Sequence, residues 1–427
     1  MQVKDFSIFL WKLKRETLIK NILTSKIKKT VFYILMLGFI PVLVIADENR
    51  IKPGIIITQK NYKNYLPDLK KLLSAGGYDS VVNGVENVRI NIPVVKKINY
   101  PIPLKYGEAT KKYSNRCSAG KRNELIGWVS GLPFPEPKNG LELAWNIQRR
   151  DQITDQMSFY TEFLLFDSSG RKTGKIERSI RAHLYNRYYI GRHTIPPIPE
   201  EPGNNGLIRL KESMVVIKPF DVKGFSMIRI CYDPLDKTDD CFSYIPAIRR
   251  LRRLTGSDVT DPVLGCDFCY DDFETIRQKI NSKMTFNLLG TKDLLVPIHY
   301  TKIPSNHIQA DCYQWEWEIR PSWILQYNIN DPGYAYSKRV IYVEKELPTA
   351  DLYGADNYDL KGRLWRTSSM IAHAKDAKTF DANCWYGAKW IDHISGHTTL
   401  QPMWPTFADP MATKHAFTIR HLLQEAR

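Results

Sequence analysis

The chain has 427 residues, 43 % hydrophobic and 12 % aromatic, which is enough apolar content to bury a large core and excludes a disordered protein. Its formal charge is +16, and Met1–Ala46 holds eight Lys or Arg against two acids, a surplus of six that leaves about +10 on the remainder. That surplus favours acidic partners such as phospholipid headgroups or lipopolysaccharide, but no basic run interleaved with aromatics forms a compact module, so nucleic acid is not expected as a partner.

In chain order, Lys26, Lys28 and Lys29 precede an apolar run, VFYILMLGFIPVLVIA, that ends at Ala46 ahead of Asp47 and Glu48. The small residue closing the run predicts a signal peptide cleaved after Ala46, and hence export to an oxidising compartment. The competing reading is an uncleaved anchor, yet sixteen residues interrupted by Pro41 fall short of the roughly 20 that span a bilayer. No Cys follows the cut, so a lipid-anchored form is not expected.

Tyr65 to Ala75, reading YLPDLKKLLSA, predicts a helix with Pro67 in its first turn and Gly76-Gly77 as its stop. A Pro-rich piece from Pro133 to Pro137 leads into a second helix, Asn139 to Gln148, with Leu141, Leu143, Ala144 and Ile147 on one face. From Met157 onward strands dominate. Ser158 to Phe166 and Ile176 to Tyr189 flank a hairpin turn at Asp167-Ser168-Ser169-Gly170. Further strands are expected at Ser213 to Pro219, Met227 to Tyr232, Phe242 to Leu254, Met284 to Leu289, Tyr313 to Arg320, Val340 to Val343 and Gly362 to Thr367. So long a strand series, with few helices between, argues against βαβ units and for one curled antiparallel sheet. The organisation expected is a leader at 1–46, an arm with one helix at 47–130 and the sheet at 131–427, arm and sheet forming one unit.

The clearest alternation puts Tyr313, Trp315, Trp317 and Ile319 on one wall of a strand and Gln314, Glu316, Glu318 and Arg320 on the other. One wall is then apolar and aromatic, the other wet. The densest charge pattern is Arg249, Arg250, Arg252 and Arg253, with Asp267, Asp271, Asp272 and Glu274 shortly downstream. An internal ion-pair network is weighed against a site for an anionic headgroup or phosphate, whose oxygens suit Arg forks.

Of the seven cysteines, Cys231 and Cys241 bracket a loop between two strands and fall within disulfide reach if they face each other. Cys266 and Cys269 form a CxxC without the second pair that zinc wants, the βαβ setting of a redox motif or a following His for haem. His393 and His397 are separated by Gly396, and there is neither a nucleophile elbow nor a Gly-rich phosphate loop. The reading is therefore no enzyme, no metal and no cofactor.

The string YIPAIRRLRR from Tyr244, followed by GCDFCYDDF from Gly265, together with Arg339 to Arg366 and Leu132 to Trp145, resembles an uncharacterised periplasmic family, domain of unknown function 1329. That family lies in the LolA/LolB-like outer-membrane lipoprotein-sorting superfamily, and the resemblance covers roughly Asn61 to Thr399. Cys266 and Cys269 depart from it, standing where Ser and a small or hydroxyl residue are expected. The resemblance implies a mainly β fold with a few helices, a curled antiparallel half-barrel of about eleven strands with helices plugging the concave face. It further implies the periplasm of a Gram-negative bacterium and a carrier for a hydrophobic ligand, such as a lipid or lipoprotein acyl chain, with Tyr313, Trp315, Trp317 and Ile319 as cavity wall. An inner-membrane exporter and an outer-membrane protein are the partners such a carrier would serve. The alternative is a structural accessory subunit of a resistance-nodulation-division exporter, whose concavity is only core.

Overall fold

Period-two alternation recurs from residue 156 to 407, and in the computed structural model of the protein these runs pair into one sheet of 13 antiparallel strands. The structure describes residues 50–82, 90–98, 102–150, 154–167, 175–254, 260–272, 279–300, 315–347, 349–372 and 385–427. The leader, the turn at 168–170, Glu274 and Tyr313 lie outside them.

The first meander is β5 (Gln156–Phe166), β6 (Arg178–Tyr188), β7 (Ile208–Lys218), β8 (Ser226–Tyr232), β9 (Asp240–Ile245) and β10 (Arg250–Leu254). The second is β11 (Thr285–Tyr300), β12 (Trp315–Asn328), β13 (Lys338–Glu344), β14 (Leu352–Tyr358), β15 (Leu364–Ala372), β16 (Trp385–Asp392) and β17 (Thr398–Phe407). They join where β17 pairs with β5, so the sheet curls but does not close, with β10 and β11 at its two edges. The expected fold is present, with 13 strands where about eleven were expected.

The differences are local. Pro246 cannot continue a ladder, so Phe242 to Leu254 is two strands with Arg249 in the left-handed region (φ 50°) between them. β17 was hidden by Pro402 and Pro405, which are tolerated because Pro402 is the last residue paired with β16 and Pro405 lies past that pairing.

Ahead of the sheet come β1 (Ile56–Thr58), α1 (Leu66–Leu72), α2 (Ala75–Val82), β2 (Asn91–Pro93), α3 (Leu104–Tyr113), the short pair β3 (Ser118–Ala119) and β4 (Leu125–Ile126), and α4 (Gly140–Gln148). A last helix, α5 (Ile419–Glu425), follows β17. Residues 50–427 make one compact unit. Gly76-Gly77 does not stop the first helix as expected; the chain breaks at Leu73 and the two glycines open α2. The reason is space, since a Cβ on Gly76 would lie 1.7 Å from Thr367 Oγ1.

α4 begins with a capping box, in which the Asn139 side chain accepts from the Glu142 N–H and Glu142 accepts from the Lys138 N–H. Its Leu143, Ala144 and Ile147 lie on one face of the sheet, here the inner face, with Phe163, Leu184, Met214, Ile341, Leu352 and Trp390. The 262–272 loop fills the rest of that face, its Phe268 ring 4.6 Å from Trp390 and 5.4 Å from Phe163.

Candidate functional site

The outer face is covered differently. β12 pairs with β13 only from Ser322 on, so Trp315–Pro321 and its partner residues of β11 run past the sheet as a two-stranded ribbon. One side of the ribbon sets Leu294, Val296 and Ile298 against Val340, Tyr342 and Tyr353 of β13 and β14. The other sets Leu295, Trp317 and Ile319 against Ile57, Leu69, Ile92 and Val94 of the arm. Trp315, fully buried, packs on Leu164, Phe166 and Leu400.

Trp315, Trp317 and Ile319 thus share one side, but the opposite side is not wet. Glu318 and Arg320 are both 0 % exposed because the ribbon is covered on both sides. Arg320 donates to Glu318 (2.9 Å), Glu344 (2.7 Å), the Tyr353 hydroxyl and the Ile98 carbonyl, and Glu318 also accepts from the Ile98 N–H. Burial works against the Arg320 charge, yet Tyr353 and the two glutamates outweigh it and raise the pKa.

Between the ribbon, α2 and the outer face is a cavity of about 70 Å³. Apolar walls come from Val81, Ile92, Leu295, Trp315, Trp317 and Ile391, and polar groups from Ser80, Asn91, Thr367, Ser369 and Lys389 among others. α2 roofs it and is fastened at two points, with a third on the residue that ends α1. Asp356, buried beneath the helix start, accepts from the Gly76 N–H (3.2 Å), the Tyr342 hydroxyl (2.7 Å) and the Thr367 hydroxyl (2.8 Å). Burial pushes its carboxyl up, against the pull of those donors. His393 bridges Asp79 of α2 (2.7 Å) to Thr367 (2.8 Å), and Lys292 donates to the Leu73 carbonyl.

Among the described residues the arginine cluster does not pair with Asp267, Asp271 or Asp272, which corrects that expectation for these three acids. Arg249, Arg250, Arg252 and Arg253 are all exposed on or beside edge strand β10, and Arg253 pairs with Asp240 instead. Asp267, Asp271 and Asp272 are spent elsewhere: Asp267 accepts from His397 and Thr399, Asp271 pairs with Arg229, and Asp272 pairs with Arg339. Tyr334 and Tyr336 extend this network by donating to Asp271 and Asp272, while Asn357 accepts from Arg339. Burial raises the Asp272 pKa, but Arg339 and Arg366 more than reverse it and hold the carboxyl below its usual range. Sequence reading missed Arg339, although it stands on the same strand face as the buried Ile341 and Val343, where a charge signals a partner.

The Cys231–Cys241 disulfide is also corrected. β8 and β9 pair with Arg229, not Cys231, opposite Cys241, so the two thiols are diagonal neighbours and both are free. Burial pushes the Cys241 thiol up to about 12 and raises those of Cys231, Cys266 and Cys269, which leaves them protonated and unreactive. Among the described residues no group of three His, Cys, Asp or Glu is placed to hold a metal ion, and no helix is long and apolar enough to cross a membrane.

Among known proteins, an uncharacterised protein of Pseudomonas aeruginosa is 23 % identical over 327 residues, 71 % of this chain and 67 % of the relative. Solved structures similar to it include a domain from Vibrio parahaemolyticus described as an outer membrane lipoprotein-sorting protein (18 % identity, TM-score 0.47, 66 % of this chain and 98 % of that one). A DUF1329 family protein from Desulfovibrio piger is matched at 17 % identity and TM-score 0.47, over 66 % of this chain and 96 % of that one. A LolA superfamily protein from Nitrosomonas europaea follows at 12 % and 0.41, over 66 % and 98 %. The family model described as protein of unknown function, DUF1329, matches residues 56–422, nearly all of the folded unit, and the chain belongs to that family.

Proposed function

We propose that the protein is exported and carries a hydrophobic ligand, a lipid or an acyl chain, against the Trp315–Trp317 side of the ribbon. The observation that carries this reading is the cavity under α2, walled by Trp315, Trp317 and Leu295, with polar groups such as Thr367 and Lys389 that could orient one end of a ligand. At about 70 Å³ it is smaller than the roughly 300–1,000 Å³ of a loaded pocket, so a ligand must displace α2 from the ribbon to enter. An inner-membrane exporter and an outer-membrane protein would be its donor and acceptor. One observation favours a second reading, a structural accessory subunit: α4 and the 262–272 loop occupy the middle of the inner face, with Leu143, Ile147 and Phe268 buried there.

Two measurements separate them. A carrier expressed with its leader and purified from the periplasm yields acyl chains in an organic extract, detected by mass spectrometry, and takes up a fluorescent fatty acid saturably. Trp317→Glu abolishes that uptake while the circular-dichroism spectrum is kept. A clean extract together with no saturable uptake by the unaltered protein overturns the carrier and leaves the accessory.

A further inference from the structure

A second, smaller cavity of about 30 Å³ lies where the end of α4 meets α3 and the start of β7, and it shares no lining residue with the cavity under α2. Arg149, Arg150 and Arg209 line it together with Trp128, Tyr106 and Tyr188. Arg209 is only 8 % exposed. Among the described residues its guanidinium makes no hydrogen bond or ion pair; burial works against its charge, but Cys231, Asp239, Tyr188 and Asp233 outweigh that and raise its pKa. Arg149 pairs with Asp233 on one nitrogen, stacks 4.1 Å over the Trp128 ring, and leaves its Nε buried without an acceptor. Asp155, the carboxylate in the cavity wall, already accepts from the N–H groups of His193, Thr194 and Ile195.

Among the described residues, one guanidinium with no direct acceptor and a second with its Nε unused face a single small cavity, and an anion there would satisfy both. Arginine forks match the oxygens of a tetrahedral anion, and Trp128 holds one fork flat. We infer that this cavity binds the phosphate group of a small anion or of a lipid head, held between Arg209 and Arg149. The cavity is too small for a sugar or an acyl chain, and a phosphate group would seat in it with a small outward shift of the arginine side chains. The inference goes beyond the carrier reading and does not depend on it, because the cavity under α2 is a separate one.

Calorimetric titration of the full chain at low salt, first with inorganic phosphate and then with monomeric dihexanoyl phosphatidic acid, tests it. Saturable binding of either is expected, weakened about tenfold or more by Arg209→Met and partly retained by Arg209→Lys. Tighter binding of the lipid assigns the site to a lipid head; equal or weaker binding assigns it to free phosphate. Because Arg209 makes no direct hydrogen bond or ion pair among the described residues, Arg209→Met is expected to keep the fold; should it fail to, Arg209→Gln serves the same comparison. The inference is overturned if neither probe binds saturably at millimolar concentration, or if the neutral variant binds as well as the unaltered protein.

Discussion

The two faces of the sheet bury charge in different ways. On the inner face Asp272 and Arg339 sit among Phe268, Ile341 and Trp390, with hydrogen-bond partners on Tyr334, Tyr336 and Asn357. On the outer face the ribbon and α2 also cover buried charge, Glu318 with Arg320 and Asp356 with its donors, yet a void remains beside them. The difference lies in who supplies the cover. α4 and the 262–272 loop cover the inner face, whereas the outer face is roofed by two short helices, too short to be stable alone and held by a few polar contacts. A carrier needs one face that holds and one that yields.

Breaking the inner network should have the largest effect. Arg339→Ala leaves Asp272 charged and unpaired in the core, at a cost of about 3–5 kcal/mol. Urea denaturation measures this as a fall in midpoint with little change in slope. A loss below about 1 kcal/mol would mean that water reaches Asp272, and the contrast between the faces would fail.

The outer roof should fail more cheaply and more locally. Gly76→Ala places a methyl 1.7 Å from Thr367 Oγ1 and 2.6 Å from Asp356 Oδ1, so α2 must lift. Overpacking of this kind costs about 1–3 kcal/mol. Hydrogen exchange is the sharper measurement: amides of residues 66–82 should lose protection while β5 to β8 keep theirs. Faster exchange across the whole sheet would show that roof and sheet are one cooperative unit, against a separable cover.

How much of this could be read from the sequence depended on the distance between partners. The helix at α4 was legible because its cap and apolar face lie within ten residues of each other, whereas the break that Pro246 makes before β10 was read through as one strand. The alternation of Trp315, Trp317 and Ile319 was equally plain. What Glu318 and Arg320 face was not, because Glu344, Tyr353 and Ile98 come from other parts of the chain. Asp272 and Arg339 are 67 positions apart, and no local pattern links them. The nearness of opposite charge misled: the arginines beside β10 stayed at the edge, while the acids, carried on a loop buried on the inner face, pair with Arg229, Arg339 and His397. For Cys231 and Cys241 a register offset of two residues decided the outcome, which spacing cannot show.

The smallest expected effect concerns how the inner loop is fastened at its rim. His397, in the turn before β17, has Nδ1 2.6 Å from Asp267 Oδ2 and Nε2 3.2 Å from Glu177 Oε2, so the imidazolium can donate to two carboxylates. The hydrogen bond to Asp267 raises its pKa, with burial opposing and Glu177 adding to the rise. A group whose folded pKa lies above its unfolded value stabilises fully below the unfolded value, about 6.5 for His, and loses that contribution as pH climbs through the folded one. The side chain is 21 % exposed, which keeps the contribution near or below about 1 kcal/mol. Urea midpoints of the unaltered protein and His397→Gln should therefore differ most near about pH 5.5 and converge near about pH 8.5. Comparing the two proteins at each pH cancels the titration of every other group. A gap that is constant across that range would show that the ring acts through packing alone, and a gap that widens with pH would reverse the sign and place the neutral imidazole as the stabilising form.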